Sequence, residues 1–261
     1  DFNGDVEING SVRGSVKIHA MGNIYIGGYV EDADIWSGQD IIIQDGVNAG
    51  ENGRIEAMGN ISARFFENAH IISHSDIKCD YMLNTTALAY GGIYLEGKRG
   101  SVIGGDVTGV RGISIKACGS ESYSKTVLRV GVTKEISSEY AKVLMVLKDI
   151  DTQIDRFNQA LQKLDILKKA GSDKFDETLN RKLLQSKIVK TAEKAKYEEK
   201  SRNLYTLVRE SDRAVVRIDK NIYPGSRVFM GDKTYVPSTV FTHIALKKTS
   251  QGVLIRNYDS M

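Results

Sequence analysis

The chain has 261 residues, of which 41% are apolar, with a net charge of +3 at neutral pH and only two cysteines. That is enough apolar material for one large or two modest domains, and the mild basic balance permits acidic partners without demanding nucleic acid. Cys79 and Cys118 make no disulfide framework and lack metal-ligand spacing, and no run of about 18 apolar residues offers a membrane span. No secretory leader pattern opens the sequence. A reducing setting without membrane insertion is therefore expected, and the opening Asp1 reads as part of a longer protein.

Glycine divides the chain. Of its 25 glycines, 21 lie within residues 1–131 and only Gly171 falls between residues 132 and 224, while Pro224 and Pro237 lie beyond that gap. Both residue types are costly inside helices, so the first half is expected to be turn-rich β structure and the middle helical.

Residues 1–133 repeat. Ile8, Ile24, Ile41, Ile61, Ile77, Ile93 and Ile113 align at spacings of 16, 17, 20, 16, 16 and 20, each preceded six residues earlier by an apolar residue: Phe2, Ile18, Ile35, Ile55, Ile71, Ala87 or Val107. Two residues later come Ile26, Ile43, Ala63, Cys79, Leu95 and Ile115, with Gly10 breaking the series. Side chains two apart share a strand face, so each pair points to one interior. Turn residues such as Gly22-Asn23, Gln39-Asp40, Gly59-Asn60 and Ser75-Asp76 precede the strands. One turn signal per 16–20 residues describes solenoid coils, whereas a sandwich needs turns every 8–12. Coils of 16 fit a left-handed hexapeptide prism poorly, so a right-handed parallel β-helix is expected.

Residues 134–213 change period. Ile136, Tyr140, Val143, Leu147, Ile150, Ile154, Phe157, Leu161 and Leu164 follow an unbroken 4-3 spacing, the a/d seam of a coiled-coil helix. Lys168-Lys169-Ala170-Gly171-Ser172-Asp173 reads as a basic last turn, a glycine stop and a new N-cap. A second helix is expected from about Lys174 to Asp212, with Leu179, Leu183, Ile188, Ala192, Ala195, Leu204 and Val208 as its stripe. So short a connection predicts a long antiparallel hairpin. Residues 214–261 return to β structure: Val216, Ile222 and Val228 restore the lag of six, and this segment is expected to cap the β-helix.

These residues resemble a known family. Gly22-Asn23-Ile24-Tyr25-Ile26-Gly27-Gly28-Tyr29-Val30, Gly38-Gln39-Asp40-Ile41-Ile42-Ile43, Gly59-Asn60-Ile61-Ser62-Ala63-Arg64-Phe65, Gly100-Ser101-Val102-Ile103-Gly104-Gly105 and Ile222-Tyr223-Pro224-Gly225 are similar to the flagellar assembly protein A (FapA) family. The resemblance runs nearly the whole length, in the order β-coils, coiled-coil arm, β-return. It implies a cytoplasmic, non-enzymatic protein that acts through protein partners in polar flagellar placement, with no catalytic residues to transfer. The coils also resemble bactofilins, which polymerise but lack such an arm.

Enzyme chemistry finds little support. Asp32, Asp34, Asp40 and Asp45 are the densest acidic group, yet Asp40 occupies a turn slot shared with Asn23, Asn60 and Asp76. His19, His70, His74 and His243 are scattered, Cys79 reads as a buried hydrophobe, and no phosphate-binding loop is present. No cofactor or metal is expected, and a carbohydrate- or acyl-processing β-helix enzyme is the lesser alternative. Residues 178–197 carry Arg181, Lys182, Lys187, Lys190, Lys194 and Lys196 against the single acid Glu193, with Lys168, Lys169 and Lys174 at the hairpin tip. These nine residues are the candidate contact surface for an acidic protein partner. Nucleic acid is disfavoured because aromatic residues are sparse there, and self-association through the coiled coil or the β-helix ends is the other option.

Overall fold

The protein is described by a computed structural model covering residues 1–50, 53–132 and 134–257. It comprises two compact units: Asp1–Val132 with Arg209–Met261, and Thr133–Val208. The first is a parallel β-solenoid.

Three inward columns make its core. In the first, Ile24 pairs in parallel with Ile41, then Ile61, Ile77, Ile93, Ile113 and Val216 follow, each on its neighbour one coil away. The second runs Ile18, Ile35, Ile55, Ile71, Ala87, Val107, Leu128 and Val228. The third runs Val12, Val30, Val47, Phe66, Met82, Val102, Cys118 and Ile222. Nearly all are shut off from water, each isoleucine contributing about 2 kcal/mol of burial. The spacing of the first two columns was visible in the sequence. The third was not, because it lies between irregular turns.

One register differs from expectation. Val6, not Ile8, pairs with Ile24, Ile8 pairs with Ile26, and Phe2 bridges Ala20 rather than Ile18. A two-residue offset keeps the same side chains inward, so hydrophobic parity alone cannot detect it. The shift also removes Gly10 as an anomaly, since it no longer falls in the core series.

The corner before the first column carries a polar ladder. Asp5 Oδ1 accepts the Asn23 amide N–H at 2.6 Å, Asn23 Oδ1 accepts that of Asp40 at 3.2 Å, and Asp40 Oδ1 accepts that of Asn60 at 2.6 Å. Asn60 then accepts from Asp76 at 3.2 Å, and Asp76 from Gly92 at 2.7 Å. Acids alternate with amides, so no carboxylate stacks on another. The flanking residues alternate in step: Ser37 and Ser73 in the aspartate coils send their hydroxyls to the Gly22 and Gly59 carbonyls, while the asparagine coils carry Ala20 and Ala57. A different corner uses the left-handed backbone region at Gly14, Asp32, Gly50, Asn68, Asn84 and Gly104, the residue types that tolerate it.

At the far end the pairing reverses. The strand Val215–Ile222 pairs antiparallel with Phe241–Lys248, which pairs antiparallel with Val253–Asn257, and Ser226–Met230 pairs antiparallel with Lys233–Tyr235. The outer edges of both solenoid strands are thereby occupied.

Two long helices, α1 (Lys134–Lys169) and α2 (Glu177–Ser211), account for the second unit almost entirely. α1 ends in a Schellman arrangement: Gly171 has φ +62°, its N–H donates to the Lys168 carbonyl, and the Ser172 N–H donates to that of Leu167. The N-cap of α2 is Asp176, whose Oδ1 accepts the Leu179 N–H at 3.0 Å, rather than the expected Ser172 or Asp173. Lys194 Nζ lies 2.7 Å from Asp151 Oδ1, and Lys200 Nζ 2.7 Å from Glu139 Oε1. The two ion pairs connect the helices in opposite sequence order.

Candidate functional site

Several polar side chains that the sequence singles out on the solenoid are held in structural pairings. Asp40 belongs to the turn ladder, Asp45 pairs with Arg64 at 3.3 Å, and Asp32 accepts the Ser15 hydroxyl at 3.0 Å. His19 Nδ1 lies 2.7 Å from Asp1 Oδ1 and packs edge-on against Trp36, while His74 stacks on Tyr90 at 4.9 Å. Among the described residues, no three His, Cys, Asp or Glu side chains converge with metal-holding geometry. Burial pushes the Cys118 thiol up to about 12 and the Cys79 thiol higher still, so both stay protonated.

An aromatic ladder crosses the third face. Phe65 stacks on Tyr81 at 5.1 Å, tilts towards Tyr29 at 6.3 Å, and lies over Gly46, where any Cβ would overlap the ring. The Arg99 guanidinium covers the end of Tyr81, 4.4 Å from the ring centroid, and the Tyr81 hydroxyl donates to Glu67 at 2.8 Å. The ring faces are occupied by one another and by arginine, which makes this a surface brace. The sequence reading missed it because its members fall at unequal spacings.

In the helical unit the structure sorts the nine basic residues into three groups. Along α1 every residue of the expected seam, from Ile136 to Leu164, is buried or half-buried. Along α2 Asn180, Leu183, Lys187, Lys190, Lys194, Tyr197, Ser201, Leu204 and Val208 are buried or half-buried and follow an unbroken 3-4 alternation, with Glu193, Leu207, Glu210 and Ser211 half-buried beside it. Lys187, Lys190 and Lys194 thus occupy seam positions, with their apolar stems covered and their ammonium groups at the margin. Lys190 pairs with Glu193 at 2.7 Å, and Lys194 with Asp151 at 2.7 Å and Glu198 at 3.6 Å. The hydrogen bond that Lys194 donates to Asp151 raises the lysine pKa.

A second group is engaged locally. Arg181 lies 3.8 Å from Glu177, Lys169 lies 2.7 Å from Asp165, and the Lys168 ammonium sits 5.5 Å from the Phe175 ring centroid. The third group, Lys174, Lys182 and Lys196, is exposed with no acidic partner among the described residues.

The seam found in the structure displaces the expected stripe of α2. Leu179, Ile188, Ala192 and Ala195 are exposed; only Leu183, Leu204 and Val208 of that set face inward. The stripe was misread because the true seam is half polar, and selecting apolar residues forced the register onto the outer face.

Among the described residues, no helix is long and apolar enough to cross a membrane. The family model for the Flagellar Assembly Protein A (FapA) beta solenoid domain matches residues 1–251. Neither a curated protein nor a solved structure matches the chain.

Proposed function

This chain belongs to the flagellar assembly protein A family, and from that premise we propose that it is a non-enzymatic scaffold whose solenoid is the rigid body and whose helical unit makes partner contacts in flagellar assembly. The reading divides the chain into a right-handed parallel β-helix over residues 1–133, an antiparallel coiled-coil hairpin over 134–213, and a returning, capping segment over 214–261. Its setting is the cytoplasm, at the cell pole.

The observation that carries the reading is the exposed apolar surface of α2, where Leu184, Ile188 and Val189 stand open beside Lys182 and Lys196, which have no acidic partner among the described residues. On the solenoid, the corner ladder and ion pairs such as Arg64–Asp45 and Arg129–Asp106 brace successive coils, which suits a structural body. Partner contact therefore belongs on the helices. At 1.5 Å per residue, a helix the length of α1 extends over about 50 Å, long enough to present several separate contacts.

Removing residues 134–213 and joining the flanking strands tests this in the parent strain. Flagellar number and placement should be lost while circular dichroism of the shortened protein keeps its β signal. Normal flagellation with the truncated chain refutes the contact role. A second reading is a bactofilin-like polymer, weighed on the likeness of the β-coils to that family. Light scattering after size exclusion separates the two, because a discrete species excludes a polymer.

A further inference from the structure

The outer face of α2 between Arg181 and Lys196 carries more apolar surface than a solvated helix needs. Ile188 is 68% exposed, Val189 65% and Leu184 44%. At 100° per residue, Leu184, Ile188, Ala192 and Ala195 fall on one side of the helix, away from the seam, with Val189 at its border. This is the i, i+4, i+8, i+11 arrangement of anchors that a helix presents to a second amphipathic helix. The stretch is about four turns long.

Charge selects the occupant. Arg181 and Lys182 stand at one end of the stripe and Lys196 at the other. Between residues 178 and 197 six basic residues stand against one acid, Glu193, already paired with Lys190; just outside that stretch Glu177 engages Arg181 and Glu199 is exposed, which leaves Lys182 and Lys196 as the charges flanking the stripe. A second copy of α2 fits poorly: antiparallel pairing centred on Val189 brings Lys182 of one copy against Lys196 of the other, and parallel pairing sets each lysine against itself. Both are like-charge contacts. A nucleic acid would use the lysines but leave three aliphatic side chains in water. We propose that this face docks an acidic amphipathic helix, roughly four turns long, with apolar residues on one side and Glu or Asp flanking them. The inference rests on the helical unit being the contact element and adds the chemistry of the partner.

The test uses the full chain and three probes: a synthetic helical peptide with leucine anchors flanked by glutamate, the same peptide with lysine for glutamate, and a single-stranded DNA 20-mer. Titration calorimetry should show the glutamate peptide binding at least about tenfold more tightly than the lysine peptide, a preference that shrinks at high salt. Ile188→Asp, which adds a charge at an exposed position, should weaken the glutamate peptide by about tenfold with helicity unchanged. The double variant Lys182→Glu/Lys196→Glu should reverse the peptide preference. Equal binding of the two peptides, no binding of either, an unaffected Ile188→Asp variant, or tighter binding of DNA overturns the proposal. So does a dimer in light scattering that Ile188→Asp dissolves, which would assign the face to a second copy. Failure of the contact-element reading is distinguishable: there, the truncated chain still supports flagellation whatever the peptides do.

Discussion

Gly59 lies directly against the carboxylate of Asp40 one coil earlier, and the same carboxylate oxygen accepts the Asn60 N–H at 2.6 Å. The glycine is required by this close approach rather than by its backbone angles, because a methyl group there would occupy the carboxylate's place. Gly22 against Asp5 and Gly91 against Asp76 repeat the relationship.

Gly59→Ala should therefore cost about 2 kcal/mol or more by displacing Asp40 and breaking the ladder. Gly10→Ala, where an added Cβ meets nothing within 4 Å, should cost close to nothing. Thermal unfolding of the pair checks the contrast, and equal midpoints would remove the steric argument.

Replacing Asn23 and Asn60 together by aspartate would stack five carboxylates on successive coils. The double variant should be markedly less stable at pH 7 and recover as the pH falls to about 3, where carboxylates become protonated, or as salt is added. Urea unfolding at several pH values measures this. A penalty independent of pH would show that alternation serves geometry rather than charge.

Asp232 gives a pH dependence of the opposite sense. Hydrogen bonds from Lys248 and Lys233 hold its carboxyl at about 2, below the usual 3.8. A carboxylate depressed in the folded state contributes stability above its unfolded value, and that contribution disappears as pH falls through about 2. Asp232→Asn should flatten the loss of stability between those two values. Carbon-detected NMR titration of Asp232 should place its midpoint in the same region.

The helical seam separates packing from charge. Leu204→Ala should cost about 2–4 kcal/mol and lower the melting of the helical signal in circular dichroism. Lys194→Leu should leave that melting unchanged or raise it, since a half-buried ion pair gives way readily to an apolar contact at a seam position. A large loss from Lys194→Leu would mean that Asp151 depends on it.

Both buried thiols should resist alkylation in the folded protein at pH 8. Mass spectrometry should find Cys79 and Cys118 modified only after denaturation. Rapid labelling of the native chain would contradict their burial.

How far the architecture could be read from residues depended on how each element announces itself. Ile24 through Ile113 share one residue type at one slot per coil, so their spacing predicted their pairing partners directly. Val12, Val30, Val47, Phe66 and Met82 form an equally continuous column but change size from coil to coil, and the residues between them vary in number. The left-handed corner was legible in principle, since Gly14, Asp32, Gly50, Asn68, Asn84 and Gly104 are the residues such a backbone admits; they were scattered among many other glycines and asparagines. The nine basic residues singled out from the sequence do not share one exposed face of the helices. Lys187, Lys190 and Lys194 occupy half-buried seam positions, whereas the exposed Leu179 and Ile188 were assigned to the interior by an apolar-only rule.

Along residues 5–76 the Asp5–Asn23–Asp40–Asn60–Asp76 ladder, with alanine and serine alternating beside it from Ala20 to Ser73, makes the repeating unit two coils rather than one. Deleting or duplicating a single coil would bring acid onto acid or amide onto amide at the junction, while a change of two coils keeps the phase. Such a rod is set to grow or shrink over evolutionary time in even steps, a parity imposed by hydrogen-bond donors and acceptors at one corner.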